Sequence, residues 1–236
     1  MGNSVSAISN LSLALAFLPA LIVIAVMYYW RAGGGTAVYA TLRMLVQLLL
    51  IGYVLIYIFD ADHWGIIAGV LFVMLVAASW IAVRTVASPG PRTYLVAFIA
   101  VSVSGVPILA LVTQAVIDVE PWFKPRYVVP LAGMIFSGSM TAISIAAERL
   151  GSELESGRSW VDARRKAFDA AMIPIMNSLF AVGLVSLPGM MTGQVLSGIS
   201  PLIAAKYQIM VMTMLFGAAG IAAALYLVFE TKGRHS

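Results

Sequence analysis

Long apolar stretches separated by short polar ones dominate the pattern of residues along the chain. Six stretches are clear, at residues 11–30, 37–59, 64–83, 94–117, 127–147 and 206–229, and a shorter seventh lies at residues 170–187. A helix needs about 20 apolar residues to cross the hydrocarbon core of a bilayer. Lipid also requires that every exposed backbone group be paired within its own segment. The pattern therefore predicts an all-α polytopic integral membrane protein with seven transmembrane helices.

Composition agrees with lipid as the solvent. Of 236 residues, 61% are hydrophobic and 10% are charged, whereas a soluble domain has about 25% charged residues. This excludes an ordinary soluble enzyme, and the scattered basic residues exclude a nucleic-acid partner. Because there is no cysteine, zinc sites built on cysteine and iron–sulfur clusters are excluded as well. We predict one transmembrane domain over residues 1–236.

Lys and Arg are distributed unequally between the two ends of the predicted helices. With the N-terminus outside, ten of the fourteen fall in inside loops, two fall in outside loops and two lie within spans. Cytoplasmic loops are enriched in these residues, so we predict an N-out, C-in protein of the cell (inner or plasma) membrane. The one sizeable inside segment, residues 148–169, carries five basic and five acidic residues. It is predicted to be helical, with a break at Gly157.

The sixth span is predicted to be a broken or kinked helix. Pro and Gly are unfavourable inside helices, and this region contains them at Pro188, Gly189, Gly193 and Pro201. Broken helices are a common way to build a transport site. The alternative is a proline kink followed by a short outer loop. The sequence leaves open whether residues 188–201 re-enter the membrane.

Polar groups inside the spans are few, and each has two interpretations. Arg43 and Gln47 share one face of the second span, where they either line a path or, for Arg43, reach back to the lipid headgroups. Asn177, Ser178 and Ser186 either line a path or hold helices together. Nine of the thirteen methionines lie in the last three spans; they either pack or offer thioethers, which suit copper(I) better than iron.

The residues that the spans lack limit how transport could be powered. No Asp or Glu lies well inside a span, which argues against a proton-coupled carrier. The chain also has no glycine-rich phosphate loop that ends in Lys-Ser or Lys-Thr. If ATP drives this protein, another subunit must bind it.

Several segments together resemble the Fet-type iron-export ABC permease family, which includes plant permeases linked to aluminium tolerance. The matching segments are RMLVQLLLIGYVLIYIF at 43–59, PLAGMIFSGSM at 130–140, GLVSLPGMM at 183–191, SP at 200–201 and AAKYQIMV at 204–211. The chain departs from the family at Asn177 and Phe180, where some members carry an acidic residue and a Lys.

The resemblance implies a permease subunit, not an enzyme, that moves a metal ion, with iron export the best-known role. It implies a separate ATP-binding subunit that holds ATP-Mg, no cofactor on this chain, and a second copy of the chain in the assembly. The loop at 148–169 would then contact the ATPase through Glu155, Gly157, Arg158 and Trp160. The predicted translocation path comprises Arg43, Gln47, Asn177, Ser178, Ser186, Met190, Met191, Gln194 and Gln208, and the metal ligands are unknown.

The sequence does not exclude two other functions. An ATP-independent channel or carrier would use the broken sixth span and would give flux without a partner. A membrane scaffold or regulatory subunit would need no path at all. For the loop at 148–169, the alternative to an ATPase contact is an ordinary amphipathic linker.

Overall fold

The computed structural model describes residues 8–86 and 88–231, and within them every regular element is a helix. The chain divides into two compact units, residues 1–60 and residues 61–236. An all-helical architecture is thereby confirmed.

The first unit consists of three helices: α1, Asn10–Leu15; α2, Leu18–Tyr29; and α3, Gly34–Phe59. Ser9 caps α1 by accepting a hydrogen bond from the amide of Ser12 at 3.1 Å. The single span predicted at 11–30 is divided between α1 and α2, because Pro19 lies in the first turn of α2 and its ring favours the start of a helix over its interior.

The second unit begins with α4, Trp64–Ala82, and α5, Pro91–Ala110, which continues into a π-helical turn, Leu111–Val116. It goes on with α6, Pro125–Glu155; α7, Trp160–Ala181; α8, Gly189–Leu196; and α9, Pro201–Thr231. Helices α6 and α9 pack against each other, and both contact α5 and α7. Small buried residues allow this close approach. For example, a Cβ added to Gly105 on α5 would lie 2.9 Å from the ring of Phe136 on α6.

Within the described residues, six segments are long and apolar enough to cross a membrane: Asn10–Tyr29, Gly34–Phe59, Trp64–Ala82, Pro91–Val116, Pro125–Glu155 and Pro201–Glu230. Helix α7 is not among them because its first half carries the charges of Asp162, Arg164, Arg165, Lys166 and Asp169. The count of seven spans and the N-out orientation stay predictions.

The helix predicted from residue 148 up to the break at Gly157 is observed as the end of α6, which continues from the fifth span to Glu155, because residues 148–155 contain good helix formers and no Pro. The predicted sixth span ends at Ala181 rather than residue 187, since the chain turns at Gly183. The fourth span closes in a π-helical turn that its hydropathy pattern did not reveal.

Candidate functional site

Four cavities follow one another along α6 and α9 in the second unit. The central cavity, about 530 Å³, lies among α6, α7, α8 and α9 and is lined by Met134, Ile175, Asn177, Ser178, Ala181, Val182, Ser186, Pro188, Gly189, Met190, Gln208, Val211, Met212 and Leu215. It shares Met134 and Ser178 with a smaller cavity of about 250 Å³ around Thr141.

On its other side, the central cavity adjoins one of about 530 Å³ that contains Tyr127 and Tyr207 and is called the tyrosine cavity here. Met134 and Met190 line both of them. A fourth cavity, about 210 Å³, shares Tyr207 with the tyrosine cavity and reaches Lys206. Along α6, the lining extends from Arg126 to Ala142, a rise of about 24 Å at 1.5 Å per residue, which is a large part of a bilayer core of about 30 Å.

The polarity of the lining changes along this row. The side chains around the central cavity are apolar, hydroxyl, amide and thioether groups, all of them uncharged. The tyrosine cavity adds the guanidinium of Arg126, and the fourth cavity adds the ammonium of Lys206. One end of the row is therefore positively charged and its centre is neutral.

Two glutamines in this region have unsatisfied amide oxygens. Gln208 on α9 lines the central cavity and is only 5% exposed, and Gln194 on α8 lines the tyrosine cavity. Within the part of the chain that the structure describes, neither Oε1 atom accepts a hydrogen bond. A buried amide oxygen without a donor costs about 1–3 kcal/mol.

The break after α7 pairs most of its own backbone groups. The amides of Leu184, Val185 and Ser186 all donate to the carbonyl oxygen of Ala181, at 3.2, 2.8 and 3.1 Å. The amide of Gly183 donates to the carbonyl oxygen of Ser186 at 2.9 Å. This turn is exposed, with Leu184 90% accessible, and its hydrogen bonding is largely local. Side chains, more than freed backbone groups, therefore set the chemistry of the central cavity.

The elbow, residues 156–159, joins α6 to α7 and has the hydrogen bonds of a Schellman motif. The amide of Arg158 donates to the carbonyl oxygen of Glu153 at 3.2 Å, and that of Gly157 to Leu154 at 3.0 Å. Gly157 has a φ of +77°, the left-handed conformation that this motif requires. Ser159 then caps α7 by accepting a hydrogen bond from the amide of Asp162 at 3.2 Å. The predicted break at Gly157 is confirmed.

A buried carboxylate holds the elbow. Glu153 is 5% exposed, and its two oxygens form ion pairs with Arg149 on α6 and with Arg158 in the elbow. Lys166 on α7 lies 3.8 Å from the same carboxylate. A buried acid requires such partners, because burying an unpaired charge is costly. The pair with Arg149 lies within α6, the pair with Arg158 ties α6 to the elbow, and the pair with Lys166 ties it to α7.

The structure brings together five of the nine predicted path residues around the central cavity: Asn177, Ser178, Ser186, Met190 and Gln208. Gln194 lines the neighbouring tyrosine cavity. Met191 lies on α8 and lines none of the four cavities described above. Arg43 and Gln47 lie one turn apart on α3, in the first unit.

The predicted break residues are arranged around α8. Pro188 and Gly189 border the central cavity at the start of α8, Gly193 lies inside that helix, and Pro201 begins α9. The four residues of the predicted ATPase contact mark the elbow: Glu155 ends α6, Gly157 and Arg158 lie in the turn, and Trp160 begins α7.

Two important residues were missed by the sequence analysis as site residues. Met134 lines three of the four cavities, and Glu153 anchors the elbow. Glu153 is one of five acidic residues in a charged segment, and nothing in its spacing marks it as the buried one. Among the described residues, no group of three or more His, Asp or Glu side chains is placed to hold a metal ion.

Long apolar helices around a row of cavities define the chain as a multi-pass helical membrane protein. It belongs to the family described as uncharacterised protein family UPF0014, which matches residues 9–233. The chain is a membrane permease of this family. The relatives described next confirm the resemblance to Fet-type permeases.

Three relatives cover most of the chain. It is 32% identical over 244 residues to the "Probable iron export permease protein FetB" of Escherichia coli K12, a match over 94% of this chain and 92% of the relative. It is 35% identical over 199 residues to the UPF0014 membrane protein slr1647 of Synechocystis, 77% of this chain and 76% of the relative. It is 32% identical over 203 residues to the protein ALUMINUM SENSITIVE 3 of Arabidopsis thaliana, 79% of this chain and 72% of the relative. No solved structure matches the chain.

Proposed function

We propose that this chain is the membrane subunit of an ATP-driven exporter that moves metal ions, iron foremost, out of the cell. The observation that carries the proposal is the match over nearly the whole chain to a relative named as an iron export permease. In this proposal a separate ATP-binding subunit hydrolyses ATP-Mg, and the complex contains two copies of each subunit. The chain itself performs no chemical step.

The row of cavities supports a transport role. It extends along α6 from a positively charged end to a neutral centre, and it contains six of the nine path residues that the sequence predicted. Its hydroxyl, amide and thioether groups are all metal ligands or hydrogen-bonding groups. Iron(II) accepts oxygen and sulfur ligands, and copper(I) prefers sulfur, so copper is the competing substrate to test.

The elbow supports contact with a motor. It is a compact turn in which Gly157 and the side chain of Arg158 are exposed, next to the exposed side chain of Glu155 at the end of α6. The ion pairs of Glu153 with Arg158 and Lys166 connect α6 to the elbow and to α7. A rigid turn of this kind suits a groove on an ATPase, a helix-in-groove contact. Force applied to it would pass directly into α6 and α7, which line the central cavity.

Reconstitution tests the proposal. The chain is placed in proteoliposomes with and without its ATP-binding partner, and uptake of iron(II), copper(I), zinc(II) and manganese(II) is measured with and without ATP. Metal transport that requires both the partner and ATP supports the proposal. Flux by the chain alone would identify an ATP-independent channel or carrier, and failure to retain any ATPase on gentle purification would contradict the ABC assignment.

A further inference from the structure

Arg126 and Lys206 are exposed cations at the positively charged end of the row of cavities. Arg126 is the second residue of α6 and lines the tyrosine cavity, and Lys206 is the sixth residue of α9 and lines the fourth cavity. Tyr207 and Ile117 line both cavities, so the two cations border one surface. Within residues 8–86 and 88–231, neither cationic side chain forms an ion pair or a hydrogen bond.

Acidic residues do not neutralise this pair of cations. None of the residues that line the two cavities is acidic. The acids nearest to Arg126 along the chain, Asp118 and Glu120, are exposed in the loop before α6, where Lys124 offsets one of the two charges. A charged side chain at membrane depth usually has a partner of opposite charge. The partner that Arg126 and Lys206 lack is therefore an anion from outside the chain.

Aromatic residues indicate that this end of the row lies at the level of the lipid headgroups. A tyrosine follows each cation directly, at Tyr127 and Tyr207, and Trp122, just before α6, is 56% exposed. Tyrosine and tryptophan are enriched where a membrane meets water. Lys206 lies about 7.5 Å along α9 from its first residue at 1.5 Å per residue, and a lysine this close to a helix end extends its ammonium toward the headgroups. Lipid phosphates are the anions concentrated at this level.

An apolar groove beside the cations favours a lipid over a free phosphate. The wall of the tyrosine cavity includes Pro130, Ile199 and Ile203, all of them exposed. Exposed apolar residues on a membrane-spanning bundle meet acyl chains, because lipid is the solvent there. A free phosphate would use only the two cations, whereas a phospholipid matches both the charged end and the apolar groove.

We propose that Arg126 and Lys206 bind the phosphate of an anionic phospholipid, one of whose acyl chains lies in the apolar groove of the tyrosine cavity. The guanidinium of Arg126 presents paired N–H donors to phosphate oxygens, and the ammonium of Lys206 adds a point charge. The phenol hydroxyls of Tyr127 and Tyr207 are further donors on the same surface. This lipid site goes beyond the proposed function and does not depend on which metal is moved.

Binding measurements on the full chain test the lipid site. The protein is purified in a neutral detergent, depleted of lipid and titrated with phosphatidylglycerol, which is anionic, and with phosphatidylcholine, whose choline compensates its phosphate. We expect phosphatidylglycerol to bind more tightly. Arg126→Gln and Lys206→Gln should each weaken its binding about fivefold, and the two together about 25-fold.

Two further measurements separate a lipid from a soluble anion. Inorganic phosphate should neither raise the Tm of the unaltered chain nor displace phosphatidylglycerol. Ile203→Trp fills the apolar groove without changing a charge, so it should weaken lipid binding. Leu202→Trp is the matched control and should leave binding unchanged, because Leu202 is 78% exposed and lines none of the four cavities.

A second double variant controls for the loss of two positive charges. Arg164 and Arg165 are exposed on α7 and do not line the tyrosine cavity, so Arg164→Gln with Arg165→Gln should keep full affinity for phosphatidylglycerol. Equal losses in the two double variants would mean unspecific attraction, and displacement by inorganic phosphate would identify a soluble anion; either result, or full affinity after loss of Arg126 and Lys206, would overturn the inference. None of these measurements uses ATP or a metal, so the proposed function is tested separately.

Discussion

Glu153 holds Arg158 twice, once through its backbone and once through its side chain. Its carbonyl oxygen accepts the amide of Arg158 at 3.2 Å, and its buried carboxylate pairs with the guanidinium of the same residue. The first contact ends α6, and the second fixes the direction in which the chain leaves it. Because Lys166 on α7 approaches the same carboxylate, one acid contacts the end of α6, the elbow and the start of α7.

Replacement of this acid should loosen the elbow. Glu153→Gln leaves three cations without their shared partner, and since those cations are partly exposed we expect a loss of about 1–3 kcal/mol and a lower Tm. The ratio of metal transported to ATP hydrolysed should fall. Glu155→Gln is the control for the Tm alone, because Glu155 is exposed two residues away. Equal Tm values for the two variants would contradict the anchoring role.

The left-handed conformation of Gly157 makes a second prediction. Gly157→Pro cannot adopt a φ of +77° and loses the amide that donates to Leu154, so the elbow must rearrange. We expect ATPase activity to persist while transport falls at least several-fold. Gly151→Ala provides the comparison, because Gly151 lies within α6 and a Cβ there meets no atom within 4 Å. Full transport by Gly157→Pro would remove the elbow from coupling.

Trp160, next to the elbow, makes a third prediction. It is half-buried and begins α7 after the cap formed by Ser159. Trp160→Glu places a charge at a position that the proposed contact fills with an aromatic ring. Transport should become uncoupled from ATP hydrolysis while membrane insertion stays normal. Insertion is measured by protease accessibility, and coupling by the ratio of transport to hydrolysis; an unchanged ratio would contradict the assigned contact.

Close packing of α5 on α6 makes a fourth prediction. Gly105→Ala would place a methyl group 2.9 Å from Phe136 and 3.0 Å from Ile135, closer than carbon atoms approach. We expect a loss of about 1–3 kcal/mol and a lower Tm in detergent. Gly69→Ala on α4 is the matched change into open space and should leave the Tm unchanged. A similar Tm for both variants would show that α5 and α6 lie further apart.

A hydrogen bond between α6 and α9 gives the fifth prediction. The hydroxyl of Ser139 on α6, fully buried, donates to the carbonyl oxygen of Ala218 on α9 at 3.3 Å. Such bonds between membrane helices contribute about 0.6 kcal/mol, so Ser139→Ala should lower the Tm slightly. Ser79→Ala removes a buried hydroxyl that bonds only within α4, at 2.7 Å to Leu75. A smaller effect at Ser139 than at Ser79 would contradict a role for this bond between helices.

Much of the fold was predictable because hydropathy is a strong constraint in lipid. The apolar stretches locate α3, α4 and α9 to within a few residues. Gly157 marks the turn between α6 and α7, and Pro188 and Gly189 mark the start of α8. The end of the sixth span was predicted too late, because apolar residues continue to residue 187 after the helix ends at Ala181. Helix formation depends on propensity as well as on hydropathy.

The site was less predictable, for reasons that particular residues show. Asn177, Ser178, Ser186 and Gln208 are conspicuous as polar groups in apolar segments, and the structure gathers them around one cavity. Met134 resembles any other core methionine in the sequence, and only the packing of four helices reveals its central place. The burial of Glu153 likewise depends on α6 and α7 meeting at an angle that local sequence does not encode.

Helix α6 is one continuous rod from the wall of the central cavity to the elbow. Met134 and Glu153 lie on it about 28 Å apart at 1.5 Å per residue. A lever of this length that tilts by about 10° about the elbow moves its other end sideways by about 5 Å. A small rotation at the surface where a motor would bind is therefore sufficient to displace Met134 and to change the shape of the three cavities that it lines.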